Sequence, residues 1–129
     1  MKEMKYQTER IEEILDSGNY KGYNYVIISY GTHPCAYIEI PKGHKFYEMP
    51  YDEIEEEVDF EVNGGLTFGA FRDFGFGEKY YIGWDYAHYG DFVGWQLRYN
   101  DVSLNDGKMW TTEEILEEVK TAINQLKGE

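Results

Sequence analysis

The chain lacks a second cysteine, any long apolar run and any surplus of basic charge, and each absence closes off a class of protein. The single cysteine, Cys35, cannot form an internal disulfide, and without a CxxC pattern a thiolate zinc site is excluded as well. Stability then has to come from packing. No stretch approaches the roughly 20 apolar residues of a helical membrane span, and the opening MKEMKYQTER has no apolar signal-peptide core. A cytoplasmic protein without membrane contact is expected. Twelve Lys and Arg against 25 Asp and Glu leave a formal charge of −13, which repels phosphate backbones, so direct binding of nucleic acid over a broad face is not expected. The motifs GxGxxG, GxxxxGK[ST] and GxSxG are missing, which removes the usual dinucleotide, P-loop and hydrolase-elbow signatures. No cofactor is implied, and the chain has no internal repeat.

What is present in excess is aromatic and acidic. Thirteen Tyr, seven Phe and three Trp exceed what a small core needs for filling. Such rings suit a ligand pocket or a subunit interface, because each Tyr or Trp joins an apolar face to one polar handle. A homo-oligomer is therefore expected. The acids are clustered: DEIEEEVDFE at 52–61 holds seven carboxylates and EEILEE at 113–118 holds four. A solvated acidic face is the plain reading, and mimicry of a nucleic acid that blocks a host nuclease is the sharper one.

With 129 residues the chain suits one domain, 1–129. TERIEEILD at 8–16 sets Ile11, Ile14 and Leu15 at helical spacing, with Thr8 as cap and Gly18-Asn19 as stop, and predicts an N-terminal helix. YNYVIISY at 23–30 and CAYIEIP at 35–41, separated by GTHP, predict a β-hairpin. PYDEI at 50–54 fits one helical turn. VNGGLTFGAF at 62–71 and KYYIGW at 79–84 read as strands joined by the glycine-bearing RDFGFGE, and FVGWQLRY at 92–99 reads as another. TTEEILEEVKTAINQL aligns Ile115, Leu116, Val119, Ala122, Ile123 and Leu126 on one helical face, and Thr111 with Glu114 has capping-box spacing. The expected fold is α+β, an antiparallel sheet flanked by an N-terminal and a C-terminal helix.

Three stretches carry candidate chemistry. IGWDYAHYGDF at 82–92 offers the imidazole of His88 with the carboxylates of Asp85 and Asp91, which are ligand types that metals take, although neither HExxH nor a comparable spacing accompanies them. Asp85 with His88 could also form an acid/base pair, and a well-bonded turn is the plain alternative. NGGLTFG at 63–69 places paired glycines in a strand pattern, which marks either a bend or a close approach to the backbone, with Asn63 and Thr67 beside it. Arg72 and Arg98, two of only three arginines, are candidate anion clamps, with a salt bridge to a nearby acid as the alternative. Cys35 reads as a small buried hydrophobe.

The segments HPCAYIEIPKGHKFY, YDEI, VNGGLTFG, YYIGWDYAHYGD and TTEEILEEVKTAINQL, in that order, resemble a widespread family of small phage and prophage proteins of Firmicutes and Actinobacteria. That family commonly reads HGGLTY followed by WWxGxDxAHxGD. The resemblance covers most of residues 33–127, and Gly64, Gly65, Leu66, Thr67, Gly83, Asp85, Ala87, His88, Gly90 and Asp91 match. Asn63 stands where the family has His, and an amide neither titrates nor binds zinc well. The departure moves the expectation from catalysis toward binding.

The resemblance implies a phage setting, in which small proteins counter bacterial defence. The expectation is an anti-defence protein that binds and sequesters a small nucleotide-derived signal, of the cyclic ADP-ribose or cyclic dinucleotide type, in the infected host cell without turning it over. Trp84, Tyr86, His88 and Asp91 would form one wall and Asn63, Thr67 and Phe68 another, with Asp85 also in the site and phosphates held by Arg72 or Arg98 and by amides near Gly64 and Gly65. A metal-dependent phosphoesterase using Asp85, His88 and Asp91 is the catalytic alternative.

Overall fold

A five-stranded antiparallel sheet organises the residues that the computed structural model describes, namely 13–30, 33–86 and 110–128. In chain order the elements are β1 (Glu13–Tyr20), β2 (Tyr23–Ser29), β3 (Pro34–Glu39), α1 (Tyr51–Glu57), β4 (Phe68–Asp73), β5 (Glu78–Asp85) and α2 (Thr112–Leu126). Across the sheet the order is β1-β2-β3-β5-β4. The chain therefore leaves β3, passes through α1 to the outer strand β4, and returns by a hairpin to lay β5 between β4 and β3.

The predicted hairpin, the α+β class, the central helical turn and the C-terminal helix are all found. The predicted N-terminal helix is not: residues 13–16 of that segment belong to β1, and 8–12 lie outside the described residues. Two local features account for the correction. Lys21 and Gly22 both have positive φ, 51° and 94°, as a two-residue hairpin turn demands, so the Gly18-Asn19 read as a helix stop lies in a strand just before that turn. The register also shifts between Ile14 and Asp16. The bulge at Leu15 breaks the period-2 alternation and leaves adjacent apolar residues that mimic helical spacing.

Strand alternation gives the sheet two apolar faces. Ile27, Ala36, Ile38, Tyr80, Ile82 and Trp84 face the main core with Ile54 of α1 and Ile115, Val119, Ala122 and Ile123 of α2. Each of these α2 side chains larger than Ala contributes roughly 1.5–3 kcal/mol by burial. Thr111 and Glu114 close the predicted capping box, at 3.1 and 3.0 Å. Val26, Ile28, Cys35, Tyr37, Phe74 and Tyr81 form a second cluster on the opposite face. Among the described residues no helix is long and apolar enough to cross a membrane.

Candidate functional site

The NGG stretch is a tight turn rather than strand. The Gly65 N–H donates to the Val62 carbonyl at 3.0 Å, and Gly64 and Gly65 both have φ of 75°, a backbone that a side chain strains. Something does approach this backbone, and it belongs to the protein. Glu55 of α1 accepts the Leu66 N–H on Oε2 at 2.7 Å, and a Cβ on Gly65 would stand 2.8 Å from that same oxygen. A carboxylate thus occupies the position beside the turn that the sequence suggested for phosphate.

From this turn the chain passes beside the end of β5 on its way into β4. The Asn63 side chain donates to the Asp85 carbonyl at 3.4 Å, while its backbone N–H donates to Glu118 Oε1 at 3.1 Å. The Thr67 N–H donates to the Gly83 carbonyl at 2.9 Å, and its hydroxyl reaches Asp85 Oδ2 at 3.5 Å. Phe68 opens β4 opposite Gly83 and meets the Tyr37 ring edge-on at 5.2 Å.

Trp84 and Tyr86 turn the other way, because neighbouring residues of a strand face opposite sides of the sheet. Trp84 is 1% exposed and Tyr86 fully buried in the main core. Trp84 Nε1 donates to the Tyr86 hydroxyl at 2.7 Å, which donates to Glu118 Oε1 at 2.6 Å. Their polar handles are bonded within the core, and the Tyr86 ring stacks at a tilt on Trp110, 4.8 Å away.

Asp85 remains on the second face, paired in register with Cys35. A cavity of about 130 Å³ lies there, bounded by Cys35, Tyr37, Thr67, Phe68, Trp84 and Asp85. Burial, then the neighbouring Cys35 and the Tyr30 hydroxyl at 2.8 Å, hold the Tyr37 phenol far above its usual range. Tyr37 therefore stays protonated, able to donate and accept but not to act as a base. Cys35 is 6% exposed, in keeping with its reading as a buried hydrophobe.

The structure brings Asn63, Gly64, Gly65, Thr67, Phe68, Trp84, Asp85 and Tyr86 into one region. It does not bring Arg72 there. Arg72 sits four residues along β4 from Phe68, about 13 Å at strand rise, with its guanidinium carbon 4.4 Å from the centre of the Phe74 ring. His88, Asp91 and Arg98, and with them the predicted strand 92–99, lie outside the described residues. Among the described residues no three His, Cys, Asp or Glu side chains converge as a metal site. His44 has a structural role: its Nδ1 accepts the Phe46 N–H at 3.1 Å and its Nε2 meets the Tyr23 hydroxyl at 3.0 Å.

Two acids that composition assigned to a solvated face turn out to organise this region. Glu55 and Glu118 are both partly buried and bonded to backbone amides. A signal for Glu118 was available, since it stands three residues after Ile115 and four before Ala122 on the inward face of α2. Of the other acids in 52–61, Glu57 pairs with Lys45 at 2.7 Å. Comparison with family models, with curated proteins and with solved structures gives no match.

Proposed function

We propose that this chain is a phage or prophage anti-defence protein that binds a small nucleotide-derived signal and sequesters it without turnover inside the infected host cell. The phage setting rests on the resemblance carried by VNGGLTFG and YYIGWDYAHYGD. The observation that carries the binding reading is the meeting of Thr67 and Asp85 on the cavity walled by Tyr37 and Phe68, with Asn63 tied to the Asp85 carbonyl next to it. Hydrogen-bonding groups between aromatic walls suit a sugar hydroxyl or a ring amide. At about 130 Å³ the cavity holds one such fragment, not a whole nucleotide. The remainder of the ligand would extend over the second face toward Arg72, about 13 Å away along the strand, a span that an ADP-ribose or cyclic dinucleotide covers. There the guanidinium supplies the anion contact. His88, Asp91 and Arg98 belong to the same proposed site by sequence, and the working unit is a homo-oligomer.

The test incubates the protein with a panel of cyclic nucleotides and ADP-ribose derivatives, separates protein from free compound, and identifies both fractions by mass spectrometry. One compound retained by the protein, released unchanged on denaturation and lost with Thr67→Ala or Arg72→Ala, is the expected result. A chemically altered compound would make the protein an enzyme, and sensitivity of that change to a chelator would identify the phosphoesterase. A panel neither retained nor altered would refute both.

A further inference from the structure

A larger recess lies at the other end of the second face, away from Asp85. It is a groove of about 360 Å³, within the size range of small-molecule sites, whereas the Asp85 cavity is below it. Its apolar surface comes from Val26 and Tyr81, which are 3% and 1% exposed, and from Phe76, which is 50% exposed. Phe76 is not a loose ring on a free loop. The Asp73 carboxylate accepts the N–H groups of Gly75 and Gly77 at 2.7 and 3.2 Å on either side of it.

The polar edge is equally ordered. Gly22 N–H donates to Asn19 Oδ1 at 3.1 Å, Asn19 Nδ2 to Asn24 Oδ1 at 3.0 Å, and Asn24 Nδ2 to Glu39 Oε1 at 3.0 Å. This relay crosses β1, β2 and β3 in one direction and ends on a carboxylate, so it fixes the orientation of both amides. Glu39 keeps Oε2 for another donor. On the adjacent strand Glu39 faces Tyr81, and Lys79 lies two residues further along on the same face. Among the described residues no ion pair joins Lys79 to Glu39 or to any other acid. The groove thus presents an ordered carboxylate and an ammonium that do not neutralise each other, beside an exposed ring.

We infer that this groove is a binding site for a planar lactam ring of the guanine type, with the ring against Phe76, its adjacent N–H donors on Glu39 and its carbonyl oxygen on Lys79. Guanine offers N1–H and N2–H to a carboxylate and O6 to an ammonium on one edge. Adenine turns the unprotonated N1 toward the same carboxylate, where lone pairs oppose. The ring is sequence-independent in its stacking, so discrimination lies in the polar edge. Asn24 already donates to Glu39 in the free protein, which limits the ordering cost of binding. The site goes beyond the Asp85 reading and does not depend on it, because the two recesses share no lining residue.

The test is titration of the ¹⁵N-labelled full chain with guanosine and, separately, adenosine. Uncharged nucleosides are used because the net charge of −13 opposes phosphate at long range. Saturable shifts of the Asn19, Asn24, Glu39 and Lys79 amides with guanosine are expected, with adenosine at least about tenfold weaker. Glu39→Gln, which keeps an oxygen for Asn24, Lys79→Met and the loop-tip Phe76→Ser should each weaken guanosine by about tenfold. Thr67→Ala should leave guanosine binding unchanged. Unaltered amide dispersion in each variant controls for folding. The inference is overturned if guanosine shifts no groove amide by about 1 mM, if adenosine binds as well, or if the three groove variants bind guanosine as tightly as the parent. Failure here leaves retention of a compound at Asp85 untouched, since that binding is lost with Thr67→Ala and not with Glu39→Gln.

Discussion

Truncating Glu118 to Ala should destabilise the protein by about 2–4 kcal/mol, far more than a surface glutamate would. One oxygen, Oε1, accepts both the Tyr86 hydroxyl at 2.6 Å and the Asn63 N–H at 3.1 Å. The hydroxyl is fully buried, so loss of its 2.6 Å bond to the carboxylate costs about 1–3 kcal/mol. The Asn63 amide is only partly buried and adds about 1 kcal/mol. For a chain of this length each kcal/mol lowers Tm by roughly 3–5 °C, so the drop should be near 10 °C. Glu118→Gln keeps a carbonyl acceptor and loses only charge assistance, and should cost about 1 kcal/mol. Urea unfolding of the parent, Glu118→Ala, Tyr86→Phe and the double variant would yield a coupling energy, expected at about 1 kcal/mol or more. A Glu118→Ala cost below about 0.5 kcal/mol, the usual scatter of surface substitutions, would refute the idea that this acid joins the NGG turn to the core.

Gly83→Ala should cost about 1–3 kcal/mol by overpacking, because the new Cβ would stand 2.6 Å from both the Ala36 carbonyl oxygen and the Tyr37 ring. Gly18→Ala meets only the end of the Tyr25 side chain, so equal losses for the two in thermal melts would contradict this account. Burial first, and then the Lys45 charge, lower the His44 pKa. Its contribution is therefore complete above the unfolded value of about 6.5 and is lost as pH falls through the depressed folded value. His44→Phe should remove that share of the pH dependence, and urea midpoints at about pH 7.5 and about pH 5 that fall equally for parent and variant would oppose it. Thr111→Ala should cost about 1 kcal/mol by opening the capping box of α2, and unfolding midpoints indistinguishable from the parent would count against that cap.

The elements that could be read from the chain are those whose pattern is local. Ile115, Val119, Ala122 and Ile123 recur at helical spacing behind a Thr111–Glu114 box, and both the helix and its cap are present. Tyr23–Ser29 and Pro34–Glu39 are rich in β-branched and aromatic residues around a turn, and they pair as expected. The N-terminal segment misled because a bulge at Leu15 and a Lys21-Gly22 turn reproduced helical signals in a strand. The candidate site was legible in part: NGGLTFG and WDY do meet in space. Their facing was not legible, since a run of Trp84, Asp85 and Tyr86 looks like one wall until pairing sends alternate side chains to opposite faces.

Composition and spacing determined the α+β class, the amphipathic α2, the reliance on packing rather than disulfides, and the demand for glycine near residue 64, because each follows from local backbone preference or from a count of residue types. Tertiary structure alone decided that Glu55 and Glu118 are partners of backbone amides and not solvated charges, that Trp84 and Tyr86 seal the core, and that Asn19, Asn24, Glu39 and Lys79 share one groove. Those facts depend on which strands lie side by side. The order β1-β2-β3-β5-β4 pairs residues up to 50 positions apart, as Cys35 and Asp85 are, and no periodicity within a segment encodes a neighbour in another.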